Sequence, residues 1–147
     1  MRRSFLQSLA TVFSLGALPP AFAAAASSSD RIKVVYHLSE GIEQAARAMA
    51  NIRNHLRAAP ETKIVVVGLG DGIAFLLKGA KERSGRPFDA QVAALKEQEV
   101  EFRVCGNTLA AHNVPSEQVS PDAAIVVAGV AEIARLQAKE GYVYIRP

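Results

Sequence analysis

The chain has 147 residues, half of them hydrophobic, a formal charge of +3 and one cysteine. That length fits a single domain with a core of its own. Arg2 and Arg3 supply two of the three net charges. The near-neutral remainder, with no basic run interleaved with aromatics, excludes a nucleic-acid footprint.

Residues 1–23 read as an export signal. Arg2 and Arg3 form a basic start, Leu9 to Leu18 a short apolar stretch, and Ala21-Phe22-Ala23 a small-x-small cleavage site. Gly16, Pro19 and Pro20 interrupt a run already too short to span a bilayer, so no stable membrane span is expected. Arg2-Arg3-Ser4-Phe5-Leu6 resembles a twin-arginine motif, with Gln7 where lysine is usual. The expected location is the periplasm, by the Sec or the twin-arginine route. Residues 24–30, rich in alanine and serine, form a lead to the domain, which spans residues 31–147.

Arg31 to Leu38 is the first expected strand, and Ser39 is placed to cap the helix after it. Ile42, Ala45, Ala46, Met49, Ile52 and Leu56 mark that helix's apolar face. Lys63 to Gly68 is apolar almost throughout, as in a strand buried on both faces of a parallel sheet. A glycine loop, Gly68 to Gly72, leads to an apolar helical segment or lid over Ile73 to Ala80. A helix is expected over Phe88 to Gln98, a strand over Glu101 to Val104, and a short helix over Asn107 to Asn113. Ala123 to Ala128 reads as another doubly buried strand. Gly129 opens a helix with Val130, Ile133, Ala134 and Leu136 inward. Gly141 stops that helix, and Tyr142 to Ile145 is the last strand. Strictly alternating strands and helices point to an α/β fold, with helices on both faces of a mainly parallel five-stranded sheet.

Cys105 falls between the carboxyl end of a strand and the amino end of a helix, where open α/β sheets bind ligands. A helix amino end stabilises a nearby anion by about 0.3–1 kcal/mol. That effect favours thiolate, aided by the amides of Gly106 and Asn107. A buried, inert thiol is the other reading open at that position. His37 at the end of the first strand and Asp71 after the second share the same sheet edge, and His37 is a candidate to orient or activate the thiol. The glycine loop is not GxGxxG and carries no phosphate-binding lysine. Metal ligation is not expected: there is no CxxC, HExxH or His-x-His pair, and a copper site would require His37 and His112 to converge on Cys105.

Three stretches together carry a family resemblance: Val104-Cys105-Gly106-Asn107-Thr108-Leu109, Gly129 to Gln137, and Gly141-Tyr142-Val143-Tyr144-Ile145-Arg146-Pro147. They resemble the exported branch of the DsrE/DsrF-like proteins. The resemblance implies a three-layer α/β/α sandwich, flavodoxin-like or DsrE/F-like, with a mainly parallel five-stranded sheet. It also implies a homo-oligomer, a trimer or hexamer. Cytoplasmic members relay sulfur as a cysteine persulfide, which here implies Cys105 as the carrier and other thiols as sulfur donor and acceptor, with no cofactor. A non-enzymatic small-ligand module, or a redox sensor pairing Cys105 across subunits, are the alternatives.

Overall fold

The computed structural model describes residues 31–147, so the export signal and the lead expected over residues 1–30 lie outside the described residues. The strands are β1 (Lys33–Leu38), β2 (Lys63–Gly68), β3 (Glu101–Cys105), β4 (Ala123–Val126) and β5 (Val143–Ile145). The α-helices are α1 (Ile42–Ala58), α2 (Phe88–Lys96), α3 (Gly106–Ala111) and α4 (Gly129–Glu140), with 3-10 turns at Gly70–Leu76 and Ser116–Gln118. The sheet runs β4-β3-β2-β1-β5, and every pairing is parallel.

This order places the helices. The chain steps sideways in one direction from β1 to β4, so right-handed crossovers keep α1, α2 and α3 on one face. The return from β4 to β5 runs the other way and puts α4 on the opposite face. The larger core lies on the first face. There Val34, Tyr36 and Leu38 of β1, Ile64 and Val66 of β2, and Phe102 and Val104 of β3 meet Met49, Ile52, Phe75, Phe88 and Leu95. On the second face Val35, Val65 and Val67 meet Ile133, Leu136 and Tyr142, with Leu69 packed at their margin. One helix against five strands leaves part of that face open.

The expected stripe of α1 is inward at Ala45, Met49, Ile52 and Leu56, joined by Ala48 and Gln44. Ser39 does not cap it. Gly41 holds the cap position, and the buried Gln44 reaches back, its Oε1 accepting the amides of Ser39 and Glu40 at 2.8 Å each. The bond pattern is akin to a capping box, but Gln44 takes the two amides before the cap residue rather than that of Gly41 itself.

The stretch Ile73 to Ala80 is helical only over Ile73 to Leu76, as the end of a 3-10 helix, and it is core rather than a lid. The 3-10 turn Gly70–Leu76 packs under the sheet edge, with Ile73, Phe75 and Leu76 in the main core. Two glycines make this possible. A Cβ on Gly72 would lie 2.1 Å from the carbonyl oxygen of Leu38, and one on Gly68 would lie 2.7 Å from that of Gly72. The glycine loop is therefore a packing device that clamps the carboxyl ends of β1 and β2 together.

β4 is not buried on both faces. It is an edge strand, with Ala124 and Ile125 exposed. α4 likewise turns inward only Gly129, Ile133 and Leu136, while Val130 and Ala134 face outward. Both corrections share a cause: the apolar pattern of a strand does not tell whether a further strand lies beside it. Gly141 ends α4 in the left-handed conformation (φ 72°), as its sequence position suggested.

Candidate functional site

Along β3 the side chains alternate: Phe102 and Val104 enter the main core, while Glu101, Arg103 and Cys105 point to the second face. α3 starts at Gly106 with no intervening loop, so Cys105 is itself the residue at the helix cap (φ −70°, ψ 113°). The chain leaves β3 toward one face through α3 and leaves the adjacent β4 toward the other through α4. The sulfur thus sits where neighbouring crossovers diverge, the crevice in which open α/β sheets place their ligands.

Two glycines bring both helix starts onto the sulfur. A Cβ on Gly106 would lie 3.0 Å from the carbonyl oxygen of Val126, so α3 begins pressed against the end of β4. A Cβ on Gly129 would lie 3.2 Å from the Cβ of Cys105 and 3.0 Å from a methyl of Leu69. With hydrogen there instead, the first turn of α4 approaches the thiol from the side opposite α3.

Cys105 is 6% exposed. Burial pushes its pKa up, but the hydrogen bonds outweigh it and the thiol lies below its ordinary value. They come from the Thr108 hydroxyl and from the amides of Gly129, Thr108 and Asn107. Thr108 was not among the residues expected from sequence, and its role has a specific origin. Its Oγ1 accepts the amide of Gly70 at 3.1 Å, which leaves the hydroxyl hydrogen free for the sulfur. Asn107 contributes through its backbone. Its side chain is exposed and α3 has no side-chain cap, while its amide also donates to Val127 at 3.1 Å.

The other two expected residues stand apart. His37 lies near the carboxyl end of β1 on the same face, but β2 runs between β1 and β3. Its register partner on β2 is Val67, itself level with Arg103 rather than Cys105. His37 Nδ1 instead meets the Tyr144 hydroxyl at 2.7 Å. Asp71 is exposed in the first turn after β2.

Arg103 is no counterion for the thiolate either. It is held between Glu101 and Glu132, and Glu132 also binds Arg135 at 2.8 Å. Hydrogen bonds from Arg135, against partial burial, and then the charge of Arg103 keep the Glu132 carboxyl below the usual range. The network ties α4 to the sheet and leaves the sulfur's stabilisation to neutral donors. A cleft of about 610 Å³ lies at the opposite, amino edge of β3 and β4. Its Arg31, Lys63 and Lys96 are each paired with Glu99, Glu101 and Asp122, so it is unconnected with the thiol chemistry. Among the described residues no cluster of three or more histidine, cysteine or acidic side chains is placed to hold a metal ion. No helix among them is long and apolar enough to cross a membrane.

The sequence pattern of the DsrE/DsrF-like family matches residues 16–147. The chain belongs to that family. DsrE/DsrF-like proteins are associated with sulfur relay. The MTH1491 protein of Methanobacterium thermoautotrophicum, a protein of unknown function, is 30% identical. The match covers 79% of this chain and 99% of that one, with a TM-score of 0.71. The ychN protein of E. coli shares the fold at 14% identity and a TM-score of 0.63, over 80% of this chain and 98% of that one. Among curated proteins, none matches the chain. The parallel five-stranded sheet with helices on both faces is thus the DsrE/DsrF-like fold.

Proposed function

We propose that this DsrE/DsrF-like protein carries sulfane sulfur as a persulfide on Cys105, outside the cytoplasm. The observation that supports this most is the donor set around the sulfur: one hydroxyl and three amides favour the anion at a 6% exposed site. The thiolate is the nucleophile in sulfur exchange. Cys105 Sγ attacks the outer sulfur of a persulfide or polysulfide. An S–S bond forms at Sγ, the donor's S–S bond breaks, and the donor leaves as a thiolate. An acceptor thiolate then attacks the outer sulfur on Cys105 and regenerates the starting anion. Each step moves a sulfur without net oxidation, so no cofactor is required.

The expected result is a series of mass additions of about 32 Da per sulfur on protein treated with polysulfide, reversed by added thiol and absent in Cys105→Ser. Protein for this experiment comes from the periplasmic fraction, where the mass expected is that of a chain beginning at Ala24. Sulfur addition of equal extent in Cys105→Ser would overturn the carrier reading, and full-length mass confined to the cytosol would overturn export.

The same reading includes a homo-oligomer, a trimer or hexamer. β4 is an unpaired edge, and Ile125, Val127 and Val130 around its carboxyl end are 47%, 85% and 65% exposed. Uncovered apolar edges invite strand pairing and aggregation, so a partner surface is expected there. Light scattering should give a mass of three or six chains, and a monomer at high concentration would count against it.

A further inference from the structure

β5 is three residues long, forms the sheet edge beyond β1, and leaves Val143 and Tyr144 58% and 41% exposed. It pairs with β1 over three residues, Tyr142 before it is buried, and Pro147 after it accepts from Gln44 Nε2 at 3.3 Å. Its middle residue is held by the bond between the Tyr144 hydroxyl and His37 Nδ1 at 2.7 Å. The other ring nitrogen, Nε2, is buried with no hydrogen-bond partner. A neutral ring tolerates that position, because only one weak donor or acceptor goes unmet. A protonated ring must place a charged N–H there.

The groups around His37 offer no relief. From β5 it faces Tyr144 and the guanidinium of Arg146. From β2 it faces Val67, and the buried side chains that α4 turns to this face are Ile133 and Leu136. The nearby carboxylate on the loop after β1, Glu40, already binds Arg146 at 2.6 Å and lies 3.9 Å from Arg47. To hydrate its charge, the ring must swing Nε2 toward solvent, and that movement breaks the bond to Tyr144.

We propose that His37 is an acid-sensitive latch: its protonation releases β5 from β1 and opens that edge of the sheet. Burial and then the charge of Arg146 both hold the docked histidine's pKa below its ordinary value. The released state therefore binds the proton more readily. Docking is fully present above the ordinary histidine value of about 6.5, and weakens as pH falls through it toward the docked value. The latch does not depend on sulfur chemistry, since Cys105 plays no part in it.

Amide hydrogen exchange of the full chain tests this. The reading is the protection of Val143 to Ile145 relative to the buried amides of β2, between about pH 7.5 and about pH 5. A relative loss of protection is expected at the acid end, because the docked histidine binds the proton less readily than the released one. His37→Gln, which does not titrate, should remove the pH dependence. Tyr144→Phe, which lets the ring turn without losing a bond, should reduce it. β5 protection that stays level with pH in the unmodified chain, or falls equally in His37→Gln, would overturn the latch.

Discussion

Gly72→Ala is expected to destabilise the fold by about 3 kcal/mol, the upper end of what overpacking ordinarily costs. The added methyl would stand 2.1 Å from the Leu38 carbonyl oxygen, and it would also meet the carbon of that carbonyl and the amide of Ser39. These are backbone atoms of β1 and the turn after it, so no side chain can swing aside. The 3-10 turn must lift, drawing Ile73, Phe75 and Leu76 from the main core. A urea titration should show a lower midpoint with an unchanged slope. Gly79→Ala is the comparison: a Cβ there meets nothing within 4 Å, and the strain of its positive φ (78°) is its only cost. Equal midpoints for the two variants would show that the clamp is not what holds the turn.

Thr108→Val should lower the iodoacetamide reactivity of Cys105 near pH 7 by about tenfold. A hydrogen bond to a charged group contributes about 1.5 kcal/mol, and that is about a factor of ten in thiolate population. Valine keeps the shape and removes the donor. It also leaves the Gly70 amide without its acceptor. Thr108→Ser should restore most of the reactivity, which separates loss of the hydroxyl from loss of packing. Asn107→Ala should change little, because the backbone amide survives the substitution. Reactivity of Thr108→Val matching the unmodified chain at every pH would remove the hydroxyl from the account of the thiol.

The donors around Cys105 differ in how far they can be read from sequence. That Cys105 ends a strand and begins a helix was legible, because β-formers precede it and small polar residues follow. The donors that matter were only half legible. The amides of Asn107 and Thr108 follow from local helix geometry. The orientation of the Thr108 hydroxyl depends on Gly70, 38 residues away in sequence, and the Gly129 amide reaches the sulfur only because β4 lies beside β3. His37 shows the converse. Parallel strands do put His37 and Cys105 at one edge of the sheet, but an edge is a line, and lateral order decides what meets along it. The length of β2 and the face of α1 were read closely, since both depend on their own residues. The edge position of β4 and the turn at Gly70–Leu76 depend on neighbours, and local pattern carries no record of those.

The place of β5 in the sheet also governs how the molecule assembles. Strands β1 to β4 each pair with the strand just before or after them in the chain, so each pairing closes a modest loop. β5 pairs with β1, the first strand, across nearly all of the described chain. Loop closure of that span is entropically disfavoured until the intervening strands and helices have collapsed. The topology is therefore expected to put β5 last, after the folding barrier. A transition state with β5 already paired would contradict this. Contacts made after the barrier govern escape from the native state rather than arrival at it. Acid or substitution at β5 would then shorten the lifetime of the folded molecule while leaving its rate of formation nearly untouched.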